Sequence, residues 1–499
     1  MFIRLYPEFK EFTELSKEGN IIPVCMEYLA DTETPVSALS RFRNDSSNVF
    51  LFESLEGGER WARYSFLGTS SYREINVFKD NVTVTQKGKK KIIPHYNDPF
   101  KVIRELNSEY KPVSMPDLPV FWGGLVGYIT YEAVSFFEKI KNDLPEDMPL
   151  ASFMTTDNLI IFDNVKHVIT FVSHVFLEKN DDPEKRYNNA LKELKKMLKR
   201  FKEPVSLMES DIEDKDYILK PVLSEEIFID NIKKVKDHIF EGDIIQAVIS
   251  QPFISEKAPD SLLFYRLQRF INPSPYLYYV KMNDSVLAGS SPETMVNLQN
   301  GVATLRPIAG TRPRGKTQQE DRMLADELLK DPKERAEHLM LVDLGRNDLG
   351  KVAETGSVQV TELMFIEKYS HVMHLVSNIN CDLKKGLDAW DLLRSVFPAG
   401  TLSGAPKIRA MEIIHEVEKN PRGPYGGAIG YISFNGNMDM AITIRTAVIQ
   451  NNVLKVQAGA GIVADSDPET ERRETLNKAI ALQKALQMIN NYKSEFMKN

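Results

Sequence analysis

The chain has 499 residues, a length that at about 150 residues per domain suggests three domains or two large ones. Its 63 lysines and arginines against 70 aspartates and glutamates give a formal charge of −7, which argues against a nucleic-acid binder. Hydrophobic residues at 42% and charged residues at 27% lie near globular averages and exclude a disordered or collagen-like chain.

The first part of the chain, to about residue 178, consists mainly of short strand-like runs separated by turns, and few helices are expected in it. Turn residues at 79–81 and 163–164 join neighbouring runs as hairpins, so the sheet there should be antiparallel. The strand-like runs are 48–51, 75–78, 82–85, 159–162 and 167–172.

A helix is predicted next, with Asp182 as its N-cap, Pro183 in its first turn and an end near Pro204. The polar segment that follows has little to bury and is the candidate domain boundary. The predicted organisation is a strand-rich N-terminal domain at 1–205, a linker at 206–223 and a second domain at 224–492.

Helix and strand patterns alternate in the second half. Apolar residues repeat at helical spacing from Phe228 to just before Gly242, and a buried strand is expected at 244–249. Capping patterns at Thr317 and Asp331 open two more helices. These features predict an α+β fold in which antiparallel β-sheets pack as a sandwich covered by helices, with a doubly wound fold as the alternative.

The cysteines and the apolar segments bear on where the protein works. Cys25 and Cys381 stand far apart and form no CxxC pair, which favours a reducing compartment over a disulfide framework or a zinc site. Charge and Pro7 precede any apolar stretch of signal-peptide length, and the stretch 120–137 is interrupted by three glycines and Glu132. We therefore expect a cytoplasmic protein.

Two carboxylates on late helices are candidates for a metal site. Glu337 lies on the apolar stripe of the helix that opens at Pro332, so it should face the interior and need a partner. Glu474 lies one turn before Lys478 on the final helix, and taken alone it is explained more simply by an exposed i,i+4 ion pair. If the two carboxylates converge, they form a sparse oxygen site of the kind that Mg²⁺ prefers.

Three glycine-containing loops are candidate cradles for a carboxylate, because glycine lets backbone N–H groups come close to an anion. They lie at 307–312, 400–404 and 459–461, and none fits a phosphate or dinucleotide motif. Ordinary bends or bulges explain each loop taken singly. His374 is the best candidate base, with a satisfied core imidazole as the alternative, and no nucleophile motif supports covalent acyl chemistry.

An ordered set of motifs extends from residue 51 to residue 478. The motifs are Leu51-Phe-Glu53-Ser54, Arg63-Tyr-Ser-Phe-Leu-Gly68, Phe121-Trp-Gly-Gly-Leu-Val-Gly-Tyr128, Asn272-Pro-Ser-Pro275-Tyr276, Ser291-Pro-Glu293, Arg306-Pro-Ile-Ala-Gly-Thr311, Asp343-Leu-Gly-Arg-Asn-Asp348, Gly400-Thr-Leu-Ser-Gly-Ala-Pro-Lys407, Tyr425-Gly-Gly-Ala-Ile-Gly-Tyr431, Ile444-Arg445, Gln457-Ala-Gly-Ala-Gly461 and Glu474-Thr-Leu-Asn-Lys478. Together they resemble the chorismate-utilising enzymes, and within that family the component I subunits of anthranilate synthases.

The resemblance implies that ammonia adds at C2 of chorismate, that the C4 hydroxyl leaves, and that pyruvate is then eliminated to leave anthranilate. Chorismate carries two carboxylates, so a buried site needs cations and donors for both. By the matching motifs, Glu337 and Glu474 would hold Mg²⁺ against the ring carboxylate. The other implied substrate-binding residues are Gly310 and Thr311 beside the ring, Tyr425, Arg445, Gly459, Ala460 and Gly461 around the enolpyruvyl carboxylate, and Lys478 beside Glu474.

The resemblance also implies which groups move protons. Glu293 matches the family's general acid for loss of the C4 hydroxyl, a role that requires a raised pKa. His374 matches the histidine associated with the later proton removal, and Thr401 would lie near the ring. Mg²⁺ would act mainly as a template and an electrostatic clamp.

Three positions differ from related branches of the family. Gln246 stands where isochorismate and salicylate synthases carry a water-activating lysine, and Ala309 stands where many aminodeoxychorismate synthases carry a lysine, so ammonia is the expected nucleophile. Some aminodeoxychorismate synthases lack that lysine, and this activity stays the alternative. Pro252 stands where the family usually has an arginine, which leaves the role of that arginine open.

The resemblance further implies regulation and a partner. A tryptophan feedback site is expected near 51–68 and at the boundary with the catalytic domain, with inter-domain packing as the alternative. Ammonia would come from a separate glutamine amidotransferase subunit, component II, in a heterodimer or a heterotetramer with two of each subunit. A non-catalytic tryptophan or chorismate sensor is the non-enzymatic alternative. The implied inhibitor contacts are Ser54, Pro275, Tyr276 and Leu277.

Overall fold

The structure, a computed structural model, describes residues 2–29, 31–54, 63–205, 216–369 and 372–496, the last five by their backbone alone. Part of the predicted linker and part of the predicted inhibitor element at 51–68 therefore lie outside the described residues. Within the described ranges no helix has both the length and the apolar content needed to cross a membrane.

Helices and strands alternate irregularly along the chain. The helices are α1 (Phe9–Glu18), α2 (Pro35–Phe42), α3 (Pro99–Ser108), α4 (Pro183–Phe201), α5 (Glu225–Phe240), α6 (Ser261–Ile271), α7 (Gln318–Lys330), α8 (Pro332–Gly350), α9 (Ala389–Val396), α10 (Lys407–Val417) and α11 (Pro468–Phe496), with 3₁₀ turns at Tyr131–Phe136 and Gly400–Leu402. The strands are β1 (Phe2–Tyr6), β2 (Ile21–Leu29), β3 (Val49–Glu53), β4 (Tyr64–Val77), β5 (Asn81–Gln86), β6 (Lys89–Pro94), β7 (Gly124–Ile129), β8 (Ala151–Asp163), β9 (Val168–Phe176), β10 (Lys220–Pro221), β11 (Gln246–Ser255), β12 (Tyr276–Met282), β13 (Ser285–Ser291), β14 (Thr294–Gln299), β15 (Val302–Leu305), β16 (Ile308–Pro313), β17 (Gln359–Lys368), β18 (Val372–Asp382), β19 (Gly404–Ala405), β20 (Ala428–Ser433), β21 (Met438–Ile442), β22 (Thr446–Gln450) and β23 (Val453–Ile462).

Polar side chains start the predicted helices where the sequence places them. The Asp182 carboxylate accepts a hydrogen bond from the N–H of Glu184 at 3.0 Å and opens α4. Asp331 accepts from the N–H of Glu334 at 3.2 Å at the start of α8, and Thr317 caps α7. Each cap satisfies a backbone donor that the first turn leaves unpaired, and the three predicted helix starts are confirmed.

The expectation of few helices in the first part of the chain is confirmed. The helices α1, α2 and α3 all precede residue 178, and none exceeds 10 residues.

All pairings between the named strands that the structure describes are antiparallel. The predicted α+β class, with antiparallel sheets covered by helices, is therefore confirmed, and the doubly wound alternative is wrong. Asn300 and Gly301, with φ of +53° and +83°, join β14 to β15 in the predicted hairpin.

Strands from the two halves of the chain pair with each other. In the β3–β12 ladder Leu51 lies opposite Tyr279, and in the β7–β20 ladder Gly127 lies opposite Gly430. The hydrophobic core is also shared, since Phe153 of β8 belongs to the same buried cluster as residues of β14 and α9. The N-terminal strands thus support the sheet that carries the site described below, while the division at 206–223 stays a prediction.

The central ladder for the site is β11 against β23. Ile249 lies opposite Ala460, and both side chains are buried in a cluster with residues of α5 and α10. Because side chains alternate along a strand, Ser250 and Gly459 lie on the opposite face of this ladder. The two helices cover one face and leave the other for the site.

Candidate active site

Two glycines of β23 determine how closely side chains approach the free face of the ladder. A Cβ added to Gly459 would stand 2.7 Å from the hydroxyl of Tyr425. A Cβ added to Gly461 would stand 2.6 Å from Nε2 of Gln246. Because glycine has no Cβ, the side chains of Tyr425 and Gln246 can contact the β23 backbone directly.

Glu293, between β13 and β14, is a largely buried acid. Its Oε1 accepts a hydrogen bond from the hydroxyl of Thr401 at 2.9 Å. Burial raises the pKa of Glu293 to about 7, although the Thr401 hydrogen bond and the charges of Arg445 and Lys478 act in the opposite direction. Near neutral pH both protonation states are populated, as proton transfer requires.

Arg445 brings a positive charge to the same place. It lies between β21 and β22 with φ of +50°, and its burial lowers the pKa of the guanidinium. Among the described residues, none forms a hydrogen bond or an ion pair with this guanidinium, and the charge that acts on it is that of Glu293. A partly buried guanidinium of this kind is suited to a bidentate carboxylate.

Glu337 and Glu474 share one electrostatic environment, although they come from α8 and α11. Burial raises the pKa of Glu337, and the negative charges of Glu334 and Glu474 raise it further, while a hydrogen bond from Gln246 opposes them. Glu474 is half-exposed, and its carboxylate lies 2.7 Å from Nζ of Lys478. Glu474 therefore forms the i,i+4 ion pair with Lys478, and its charge also acts on Glu337.

The group of carboxylates supplies oxygen ligands of the kind that a hard divalent cation takes. Glu471 also belongs to it, because burial raises its pKa and the charge of Glu474 raises it further. Carboxylate oxygens are the ligands that Mg²⁺ prefers, and a cation would relieve the repulsion that contributes to these raised pKa values. Glu334 and Glu471 were not predicted from the sequence. Each stands three residues before a predicted ligand on the same helix, and this i,i+3 repeat of acidic residues was the signal that could have identified them.

His374 lies on β18 opposite Thr311 of β16. Its Nδ1 lies 3.0 Å from Oγ1 of Thr311 and 3.1 Å from the carbonyl oxygen of Gly310. Gly310 has φ of +59°, and a Cβ added to it would stand 3.0 Å from Oε2 of Glu334. The residues predicted to line the ring therefore lie between the candidate base and the carboxylate group.

Lys478 connects the parts of the site. Its Nζ donates a hydrogen bond to the carbonyl oxygen of Gly459 at 2.8 Å, it pairs with Glu474, and its charge acts on Glu293. Ala460 contributes only its backbone, because its side chain is buried on the helix-covered face. The structure brings the residues predicted for catalysis, substrate binding and metal binding into one site.

A separate cavity of about 750 Å³ contains the four residues predicted to bind an inhibitor, Ser54, Pro275, Tyr276 and Leu277. The Tyr276 hydroxyl donates to Oδ1 of Asp439 at 2.9 Å, and burial raises the pKa of Asp439 to about 6. The cavity is large enough for a small ligand, and apolar strand residues form much of its wall.

The fold and this constellation of residues define a class of protein. Over residues 49–484 the chain matches the chorismate binding enzymes, and it belongs to that family. The anthranilate synthase component 1 of Aquifex aeolicus (strain VF5) is 46% identical over 96% of this chain and 97% of the relative. That of Acetivibrio thermocellus is 44% identical over 97% of this chain and 98% of the relative. The crystal structure of anthranilate synthase component I from Streptococcus pneumoniae TIGR4 superposes with a TM-score of 0.76 at 38% identity, covering 86% of this chain and 93% of that chain.

Replacing Glu293 by glutamine should make stability less dependent on pH. An acid whose pKa rises from 4.5 to about 7 on folding stabilises the folded chain at low pH, and this contribution is lost as the pH rises through that window. The E293Q variant should therefore gain about 3 kcal/mol relative to the natural chain between pH 4 and pH 8, measured by denaturant unfolding. The exposed E105Q change should show no such gain, and an equal effect of E293Q at both pH values would contradict the burial of this carboxyl.

Proposed function

We propose that the chain is the synthase subunit that converts chorismate and ammonia to anthranilate and pyruvate, the first step of tryptophan biosynthesis. The observation that carries this proposal is the largely buried Glu293, which is held by Thr401 and has a pKa raised to about 7. It lies beside the guanidinium of Arg445, which has no partner among the described residues. Such a pair offers a proton to a leaving hydroxyl and a cation to a substrate carboxylate. Membership of the family and the identity to the component 1 relatives support it.

Chorismate would lie between the cationic and the carboxylate ends of the site. Arg445 and the hydroxyl of Tyr425 would bind the enolpyruvyl carboxylate beside Gly459. The ring carboxylate would lie toward Glu337 and Glu474, which would hold Mg²⁺. When bound, Mg²⁺ would neutralise and orient this carboxylate.

The side chains then have defined tasks in the chemistry. Protonated Glu293 donates its proton to the C4 oxygen as the C4–O bond breaks and the C2–N bond forms, and water leaves. His374 next removes the proton at C2 while the C3–O bond breaks, which makes the ring aromatic, and the released enolpyruvate takes up a proton and becomes pyruvate. Gln246 supports ammonia as the nucleophile, because a carboxamide is not a base that activates water.

A separate glutamine amidotransferase subunit would supply the ammonia, in a heterodimer or a heterotetramer. Both cysteines of the chain are buried free thiols. Burial raises the pKa of Cys381 to about 11, and it also raises that of Cys25. Since the thiolate is the reactive form, neither residue is suited to hydrolyse glutamine.

The main test is product identification. The full chain with chorismate, Mg²⁺ and ammonium at alkaline pH should release anthranilate, followed by its fluorescence, and equal amounts of pyruvate. The E293Q variant should lower kcat by about 10² to 10⁴, because the leaving hydroxyl loses its proton donor, while the E105Q variant should keep full activity. An amino-chorismate without pyruvate would support aminodeoxychorismate synthase, and tight binding without turnover would support a sensor.

The metal assignment predicts a specific defect in the E337Q variant. Loss of one carboxylate ligand should raise the Mg²⁺ concentration for half-maximal activity by about tenfold or more. Calorimetric titration of the substrate-free chain with Mg²⁺ should show the same weakening without depending on turnover. The variant E14Q changes a carboxylate on α1, whose side chain is 64% exposed, and should bind Mg²⁺ like the natural chain. Unchanged Mg²⁺ affinity in E337Q would contradict the assignment.

We further propose that tryptophan inhibits the enzyme from the 750 Å³ cavity. The S54F variant fills part of that cavity, so half-inhibition should require about tenfold more tryptophan with little change in the KM for chorismate. Exposed Thr361 offers the matched control, T361F, whose inhibition curve should be unchanged. Full sensitivity of S54F to tryptophan would place the inhibitor elsewhere.

A further inference from the structure

A second cavity lies next to the site, beyond Tyr425. Its volume is about 390 Å³, within the range of small-molecule sites. Tyr425 lines this cavity, and its hydroxyl also lies against Gly459 of the candidate active site, which is called the cleft below. Apolar side chains form much of the wall, among them Leu144, Met148, Ile254 and Val448.

Strand β23 runs from the cleft into this cavity. Lys455 and Gln457 precede Gly459 and Gly461 at every second position, so the four residues belong to one face of the strand. Both Lys455 and Gln457 line the cavity. A rise of about 3.4 Å per residue places Lys455 roughly 14 Å along the strand from Gly459. The cavity and the candidate active site therefore lie on the same face of the sheet.

Lys455 carries a positive charge that no carboxylate neutralises within the described part of the chain. Its Nζ donates one hydrogen bond, 3.4 Å long, to the carbonyl oxygen of Pro421, and burial lowers its pKa. The other cation of the cavity wall, Arg422, is paired with Glu418 at 2.7 Å. The acid whose charge acts on Lys455 is Glu132, and its carboxylate already accepts the backbone N–H of Arg422 at 2.6 Å.

Two buried oxygens in the wall have no hydrogen-bond partner within the described ranges. Gln457 is 5% exposed, and its Nε2 donates to Oγ of Ser250 at 2.8 Å, but no described group hydrogen bonds to its Oε1. Thr443 is fully buried, and its Oγ1 has no hydrogen-bond partner among the described residues. An unpaired buried polar group is unfavourable, so a ligand that pairs with these oxygens is favoured.

We propose that this cavity is a binding site for an amino-substituted aromatic monocarboxylate. The carboxylate pairs with Lys455 and accepts the hydroxyl of Thr443, the ring packs among the apolar side chains, and the amino group donates to Oε1 of Gln457. Anthranilate belongs to this chemical class, and naming it as the physiological ligand rests on the proposed function. Tyr425 belongs both to the cavity and to the cleft. A ligand bound in the cavity therefore changes the affinity of the cleft for chorismate.

The test separates the cavity from the cleft by filling the cleft first. The full chain is titrated calorimetrically with anthranilate in the presence of saturating chorismate and Mg²⁺ but without ammonia, so that no turnover occurs. One anthranilate should bind per chain. The K455Q variant should weaken this binding by about tenfold or more, because the carboxylate loses its cation. Benzoate should bind about fivefold more weakly than anthranilate, since it leaves Gln457 Oε1 unpaired.

Two further variants make the result decisive. V448F fills the cavity and should abolish the binding, while K484Q removes an exposed lysine of α11 and should bind like the natural chain. Thermal unfolding confirms that each variant is folded. Equal anthranilate binding by K455Q, V448F and the natural chain, or no binding once chorismate is present, would overturn the proposal. If the chain makes no anthranilate, the proposed function fails, but loss of benzoate and anthranilate binding in K455Q would still support the cavity.

Discussion

The close contact of two side chains with β23 is the constraint from which the geometry of the site follows. Tyr425 and Gln246 lie where a Cβ on Gly459 or Gly461 would be, and β23 is held in register along β11. A strand hydrogen-bonded in a sheet and covered by helices on its other face has little freedom to move away. The positions of the Tyr425 and Gln246 side chains are therefore set by their contact with the β23 backbone.

Charge is distributed unevenly around this strand. Arg445 lies beside the largely buried acid Glu293. At the other end, burial and the charge of Glu474 raise the pKa values of Glu337 and Glu471. A ligand with two negative charges suits this arrangement only when one carboxylate meets the guanidinium and a cation screens the other from the acids. The family to which the chain belongs, the chorismate binding enzymes, is consistent with such a ligand.

Two cavities lie next to the candidate active site, and each is connected to it through a strand pairing or a shared residue. Tyr276 of the larger cavity lies opposite Ser291 in the β12–β13 ladder, two residues before Glu293. Tyr425 belongs both to the smaller cavity and to the cleft. A ligand in either cavity can therefore change the site by displacing a strand or a wall, provided that it binds two states of the protein with different affinity.

The sequence by itself determined the local features and the type of fold. Capping at Asp182 and Asp331, the hairpin at 300–301 and the antiparallel class depend on neighbouring residues, and they were predicted. The motifs also identified the candidate site residues. Only the tertiary structure decided that strands of the first half pair with the second half, that Glu334 and Glu471 join the acid group, and that Glu293 is buried enough to hold its proton near neutral pH. Caps and hairpins depend on a few neighbouring residues and can be predicted from sequence patterns. The burial and the charge interactions that shift pKa values arise between elements that can be hundreds of residues apart in the chain.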